Sequence, residues 1–336
     1  MQAKLIKEKA LELGFSACGI IPAKPFEEYK RALDERVAAY PEAEEDYKPL
    51  YSMHRPPKAG KSIIVCAAGI NHYKMPSNLA KYIGKMYLFD ERFHYTKGYR
   101  AQQEFEAFLK NTGLRLIEGG IPDRWAAAKA GIGKFGLNNF IYTPENGSYV
   151  IVLTWIVDAV LEYDAVQKDV VAEQCSEKCL LCVKACPTKA MSGSLMMNRQ
   201  RCAAQMSFSP DNYPEDAESW EQMGCWLYGC DACQDVCPMN KGKMKGTEEF
   251  PLLYQHEEYM KPEILLEMDE ETFLRVVQAR FFYIGKDKQW LWKCNALRTM
   301  INEGDAKYHP LIKKYANHED KRLGDLAKWG IEKLGL

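Results

Sequence analysis

Nine of the twelve cysteines fall between residues 175 and 237, and no other feature narrows the fold as much. The first group reads Cys175-x3-Cys179-x2-Cys182-x3-Cys186-Pro187, and the second reads Cys230-x2-Cys233-x3-Cys237-Pro238. Cys202 and Cys225 lie between them. Thiols two residues apart can occupy neighbouring corners of one inorganic cubane. A cysteine at the end of an x3-Cys-Pro run instead serves a second cluster, as in two-cluster bacterial ferredoxins. The proline ends the local helix and turns the chain away. On this reading Cys175, Cys179, Cys182 and Cys237 hold one [4Fe-4S] cluster. Cys186, Cys230 and Cys233 supply three ligands of another, and Cys202 or Cys225 supplies the fourth. Structural zinc would need closed pairs of ligands, which these proline-terminated runs do not form. The scattered Cys18, Cys66 and Cys294 read as small buried hydrophobes.

The remaining composition is that of an ordinary globular protein. Over 336 residues, 45 Lys and Arg balance 46 Asp and Glu, for a formal charge of −1. That balance removes any bulk electrostatic case for nucleic acid or membrane. The longest apolar run, VIVLTWIV at 150–157, is too short to span a bilayer. The first residues carry Lys4, Lys7, Glu8 and Lys9, with no apolar signal core. These features, with cysteines placed for ligation and not for disulfides, predict a cytoplasmic protein with no membrane partner.

The pattern predicts an α+β fold in three parts: an α/β domain over 1–170, a two-cluster ferredoxin-like domain over 171–248 and a helical segment over 249–336. LIKEKALELGF (5–15) has helical spacing and precedes a strand-like SACGII, while KSIIVCAAGI (61–70) reads as a buried strand. Residues 98–114 read as a helix stopped by Gly113. Another helix runs to Gly131, followed by a glycine loop and a turn at PENGS before a β-branched strand. From 251 onward the spacing is helical, and the last three segments resemble the paired helices of a HEAT-like repeat. GIGKFG (131–136) follows a helix and not a strand, which argues against a dinucleotide loop. Its glycines suit close approach of backbone to a bulky ligand or to the next strand.

Several stretches together resemble the epoxyqueuosine reductase family, whose wider group includes reductive dehalogenases. They are IKEKALELGFSACGI, PDRWAAAKAGIGKFGLNN, TPENGSYV, YGCDACQDVCPMN and WKCNALRTM, in the family's order along almost the whole chain. The resemblance implies a nitroreductase-like first domain that binds base-off cobalamin, and a ferredoxin domain that passes electrons to the cobalt. The substrate it implies is an epoxide in a modified wobble nucleoside of tRNA, with a ferredoxin- or flavodoxin-type electron donor. It makes Cys202 the last ligand of the second cluster and Asp123 the proton donor. Gly131, Ile132, Gly133, Gly136 and Asn138 become the loop against the corrin. Read from the residues alone, Asp123 is a helix N-cap.

The chain departs from the family at Cys175-x3-Cys179, at Leu137 where a lysine is usual, and at DERFHYTKGYR, which lacks an Asp-Tyr-His triplet. These departures leave open a small-molecule substrate, such as an organohalide, or a role as a non-catalytic electron carrier. Independent signs of tRNA binding are slight. Residues 276–336 hold twelve Lys or Arg against seven Asp or Glu, and KGKMKG at 241–246 adds a short basic run.

Overall fold

The computed structural model describes residues 2–175 and 179–336. Its central sheet has the order β1-β2-β6-β3, built from Ala17–Pro22 (β1), Ser62–Gly69 (β2), Leu116–Ile117 (β3) and Val150–Val157 (β6). All three pairings are antiparallel. Two small hairpins complete the strands: Lys134–Phe135 (β4) with Ile141–Tyr142 (β5), and Met191–Gly193 (β7) with Met196–Met197 (β8).

The long β6 strand is apolar on both faces because both faces are covered. Val150, Val152 and Ile156 meet one core with Trp125, Ala126 and Phe135. Leu153, Trp155 and Val157 meet another with Ile6, Phe105 and Leu109. The predicted strands at 16–21 and 61–70 are present. The predicted helix at 98–114 runs from Lys97 to Asn111 and is capped by the Thr96 hydroxyl, which accepts from the Tyr99 N–H. The PENGS turn is closed by the Thr143–Gly147 bridge.

The largest core does not respect the three predicted segments. Ile70, Tyr73 and Phe89 pack in it with Leu227 and Tyr228, and with Phe281, Trp292, Met300 and Ile312. The ring of Tyr228 stacks on Trp292 at 5.2 Å between centroids. The closing helices, Gln289–Glu303, His309–Tyr315 and Lys321–Leu334, pair as predicted. Their inner face, however, is built into the molecule and is not an appended repeat. Among the described residues, no helix is long and apolar enough to cross a membrane.

Candidate iron–sulfur centres and the recess beside them

The thiols separate into two groups. Cys175, Cys179, Cys182 and Cys237 line one cleft together with Gly136, Leu137 and Asn138. This is the first ligand set read from the spacing, and the helices Leu181–Ala185 and Ala232–Asp235 bring it together. Among the described residues, no three His, Cys, Asp or Glu are gathered closely enough to hold a single metal ion. The four thiols surround a space, which suits a cluster.

The second group is the more desolvated, although its four thiols keep partial solvent access. Cys186 and Cys202 are close enough that each ionised thiolate would raise the pKa of Cys230 and Cys233. Burial pushes the Cys202 thiol up, and pushes Cys230 and Cys233 up much further. Cys186 also lies close enough to raise the Cys202 pKa, and Arg199 close enough to lower it. Cys225 faces elsewhere: its thiol lies among Glu303, Arg298 and Lys81, and its carbonyl accepts from the Thr299 hydroxyl at 3.3 Å. Of the two alternatives, the fold therefore brings Cys202 to the other three. Cys66 and Cys294 are fully buried. Cys18 is half-buried, opposite Cys66 across the β1–β2 pair.

The glycine loop bridges the two thiol groups. The Asn138 amide donates to the Tyr142 hydroxyl at 2.8 Å and to the Cys233 carbonyl at 3.0 Å. A Cβ on Gly133 would lie 2.5 Å from the Tyr142 carbonyl oxygen, and one on Gly136 would lie 2.6 Å from the Tyr142 ring. These two glycines are thus required by the next strand, as one of the sequence readings has it. Ile132 is buried, and Gly131 is exposed with φ of +74°.

Asp123 opens the helix Asp123–Lys129, but Pro122 holds the cap position and no side chain caps it. The N-cap reading is therefore replaced: the Asp123 carboxylate accepts from the Thr154 hydroxyl of β6 at 2.7 Å. Asp123 and Arg124 keep solvent access, yet desolvation raises the Asp123 pKa and lowers that of Arg124. Such groups are partly exposed yet closely surrounded by protein. Tyr87 shares this character: it is half-buried, strongly desolvated, and feels both Cys202 and Arg124. This partly exposed recess includes Asp123, Arg124 and Tyr87 and approaches Cys202.

Sequence reasoning missed Arg36, Arg124 and Arg199, which gather beside this recess. Their positions lie far apart in the chain, and only the fold brings them together. The basic surplus of 276–336 is partly spent on structure. Arg280 donates to the Leu88 carbonyl and Arg298 to the carbonyls of Gly224 and Trp226, all inside the protein.

A family model described as a 4Fe-4S double cluster binding domain matches residues 174–240. In that region the chain is a two-cluster iron–sulfur protein. Its curated relatives include the epoxyqueuosine reductase of Bacillus subtilis (strain 168), 32% identical over 243 residues, covering 68% of this chain and 59% of that protein. The enzyme of Staphylococcus aureus (strain NCTC 8325 / PS 47) is 26% identical, covering 98% of this chain and 88% of that protein. That of Vibrio cholerae serotype O1 is 28% identical, covering 98% and 91%. In structure, the chain resembles epoxyqueuosine reductase from B. subtilis with a TM-score of 0.76 at 23% identity, covering 98% of this chain and 90% of that one. An epoxyqueuosine reductase with an epoxyqueuosine-modified tRNA stem loop gives 0.73 at 24% identity, covering 99% and 90%. More particularly, then, the chain is a relative of the epoxyqueuosine reductases, alike in sequence over nearly its full length and alike in fold.

Proposed function

We propose that the chain is a cobalamin-dependent iron–sulfur oxidoreductase that deoxygenates an epoxide in a tRNA wobble nucleoside. The observation that carries this reading is the partition of eight thiols into two sets of four, the deeper one beside a recess that holds a desolvated carboxyl. Cys175, Cys179, Cys182 and Cys237 hold the outer cluster, and Cys186, Cys202, Cys230 and Cys233 the inner one. Cobalamin would lie at this recess, and the loop from Gly131 through Ile132, Gly133 and Gly136 to Asn138 is the corrin contact that the family resemblance implies. Cobalamin, bound base-off, would supply the reducing centre, and the clusters its electrons from a ferredoxin- or flavodoxin-type donor.

The chain's own part is proton supply and orientation. Turning an epoxide into an alkene takes up two electrons and two protons and releases water. Burial keeps Asp123 protonated to higher pH than an ordinary aspartate, so it can give a proton to the oxygen leaving carbon. Thr154 fixes the carboxyl, and Arg124 opposes the shift by favouring the charged form. The test is to load the anaerobically reconstituted protein with cobalamin and assay an epoxyqueuosine-containing tRNA stem loop. Conversion to queuosine with about eight irons and one cobalt per chain is expected. Full iron without cobalt would leave an electron carrier, and cobalt without conversion would point to a small-molecule substrate.

A further inference from the structure

Three arginines from distant parts of the chain meet beside the recess, and among the described residues none of them forms an ion pair; Asp123, whose own pKa is raised, is the carboxyl that acts on Arg124. Arg36 comes from the helix Glu27–Ala39, Arg124 from the helix Asp123–Lys129, and Arg199 from the segment after β8. Arg36 and Arg199 both approach the Tyr47 ring, each 5.9 Å from its centroid. Arg36 donates through Nη2 to Asn139 Oδ1 at 2.7 Å and through Nε to the Leu195 carbonyl at 2.7 Å. Arg124 donates to the Asn139 carbonyl at 2.6 Å. Arg199 donates to Gln205 Oε1 at 3.3 Å. Among the described residues, the arginines in ion pairs are Arg92, Arg115 and Arg322, and none of these three is included.

Such a group is costly as it stands. Arg36 and Arg124 are desolvated although Arg124 keeps solvent access, and the charges of Arg36 and Arg199 disfavour a charged Arg124, offset in part by Asp123. Asn139, held between the two guanidiniums, is 7% exposed, and its side-chain Nδ2 has no hydrogen-bond partner. The backbone there is left-handed, with φ of 65°, a conformation that asparagine tolerates better than most residues. The place thus offers several N–H donors and positive charge. Its complement is an anion with several oxygens, which guanidinium forks bind in pairs of parallel hydrogen bonds.

We infer that Arg36, Arg124 and Arg199, with the free amide of Asn139, form a phosphodiester-binding site at the mouth of the recess. Two ligands of the proposed reaction carry that chemistry: the nucleotide tail of cobalamin and the RNA backbone next to a splayed-out base. The choice between them rests on the proposed function, whereas the anion site rests on the arginines.

The test uses the full chain with reconstituted clusters, in wild-type form and as Arg36→Gln, Arg199→Gln and the corresponding lysine variants. Three titrations are compared: inorganic phosphate, cobalamin against cobinamide (the corrinoid without its nucleotide and phosphodiester), and an RNA stem loop at two salt concentrations. Unchanged cluster absorbance shows that each variant is folded, and the two glutamine variants act as independent probes. Loss of about tenfold or more in cobalamin affinity with cobinamide unaffected would place the corrinoid phosphodiester here. A similar loss for the stem loop, with a salt slope lowered by about one and corrinoid binding unchanged, would place an RNA phosphate here. Lysine should restore part of either loss, because it keeps the charge but not the fork. Equal binding of all ligands by wild type and variants would overturn the site. A wild type that binds phosphate or RNA but no cobalamin would overturn the cofactor reading and leave the anion site standing.

Discussion

The two cysteine sites are built from the same short motif, but the protein around them differs. The outer set lies near exposed Leu180, Leu181 and Val236, and its cleft is closed on the inside by the glycine loop. The inner set is packed with Met206 and Met223 and lies near Tyr87. One site therefore has exposed apolar side chains around it, and the other lies beside Tyr87 and the recess. On the proposed function, the outer cluster would take up electrons and the inner one would pass them on.

The largest test of this contrast is at the disputed ligand. Cys202→Ala should cut iron from about eight toward four per chain and abolish turnover, while Cys225→Ala keeps all the iron. Equal iron loss in both would undo the inner site. Next comes the acid on the inner side. Asp123→Asn should slow deoxygenation by about a hundredfold or more while clusters and cobalamin remain bound. A raised carboxyl pKa means that the proton is held more tightly in the fold. Wild-type activity should therefore fall as pH rises through that pKa, and the variant's pH profile should lose this limb. The shift also costs the native state stability at neutral pH, so urea denaturation should find the asparagine variant no less stable.

A smaller effect is expected behind the inner site. Arg298→Ala removes a charged donor to the Gly224 and Trp226 carbonyls, of which Gly224 keeps Asn302, and should cost about 2 kcal/mol in denaturant unfolding, since part-buried acceptors lose a charged partner. The smallest concerns the outer rim. Leu181→Ser should slow turnover a few-fold with a protein electron donor and leave it unchanged with a small reductant, because only the former needs a docking surface.

Local pattern carried much of this architecture. The strands at 16–21 and 61–70 follow from β-branched runs, and the outer ligand set follows from cysteine spacing alone. The fourth inner ligand did not: Cys202 and Cys225 are equivalent in sequence and are separated only by the helix Gln289–Glu303, which holds Cys225 among Arg298 and Glu303. Asp123 looked like a cap because its hydroxyl partner, Thr154, is 31 residues away. The arginine group was hidden for the same reason. The charge surplus near the end of the chain, which suggested phosphate contacts, includes Arg280 and Arg298, both buried and bonded to backbone carbonyls. Charge counts do not distinguish a cation spent inside from one held ready at a surface.

The helix Gln289–Glu303 also sets an order of events during synthesis. Asn295 donates to the Ser207 carbonyl at 2.7 Å, and Arg298 and Asn302 hold the Gly224 carbonyl. These contacts clamp the segment that carries Cys202 and the approach to Cys230. A nascent chain that has emerged only as far as Cys237 therefore displays all eight proposed cluster thiols with the inner scaffold still unlatched. The fold leaves an interval in which metal delivery can precede closure, until this helix packs.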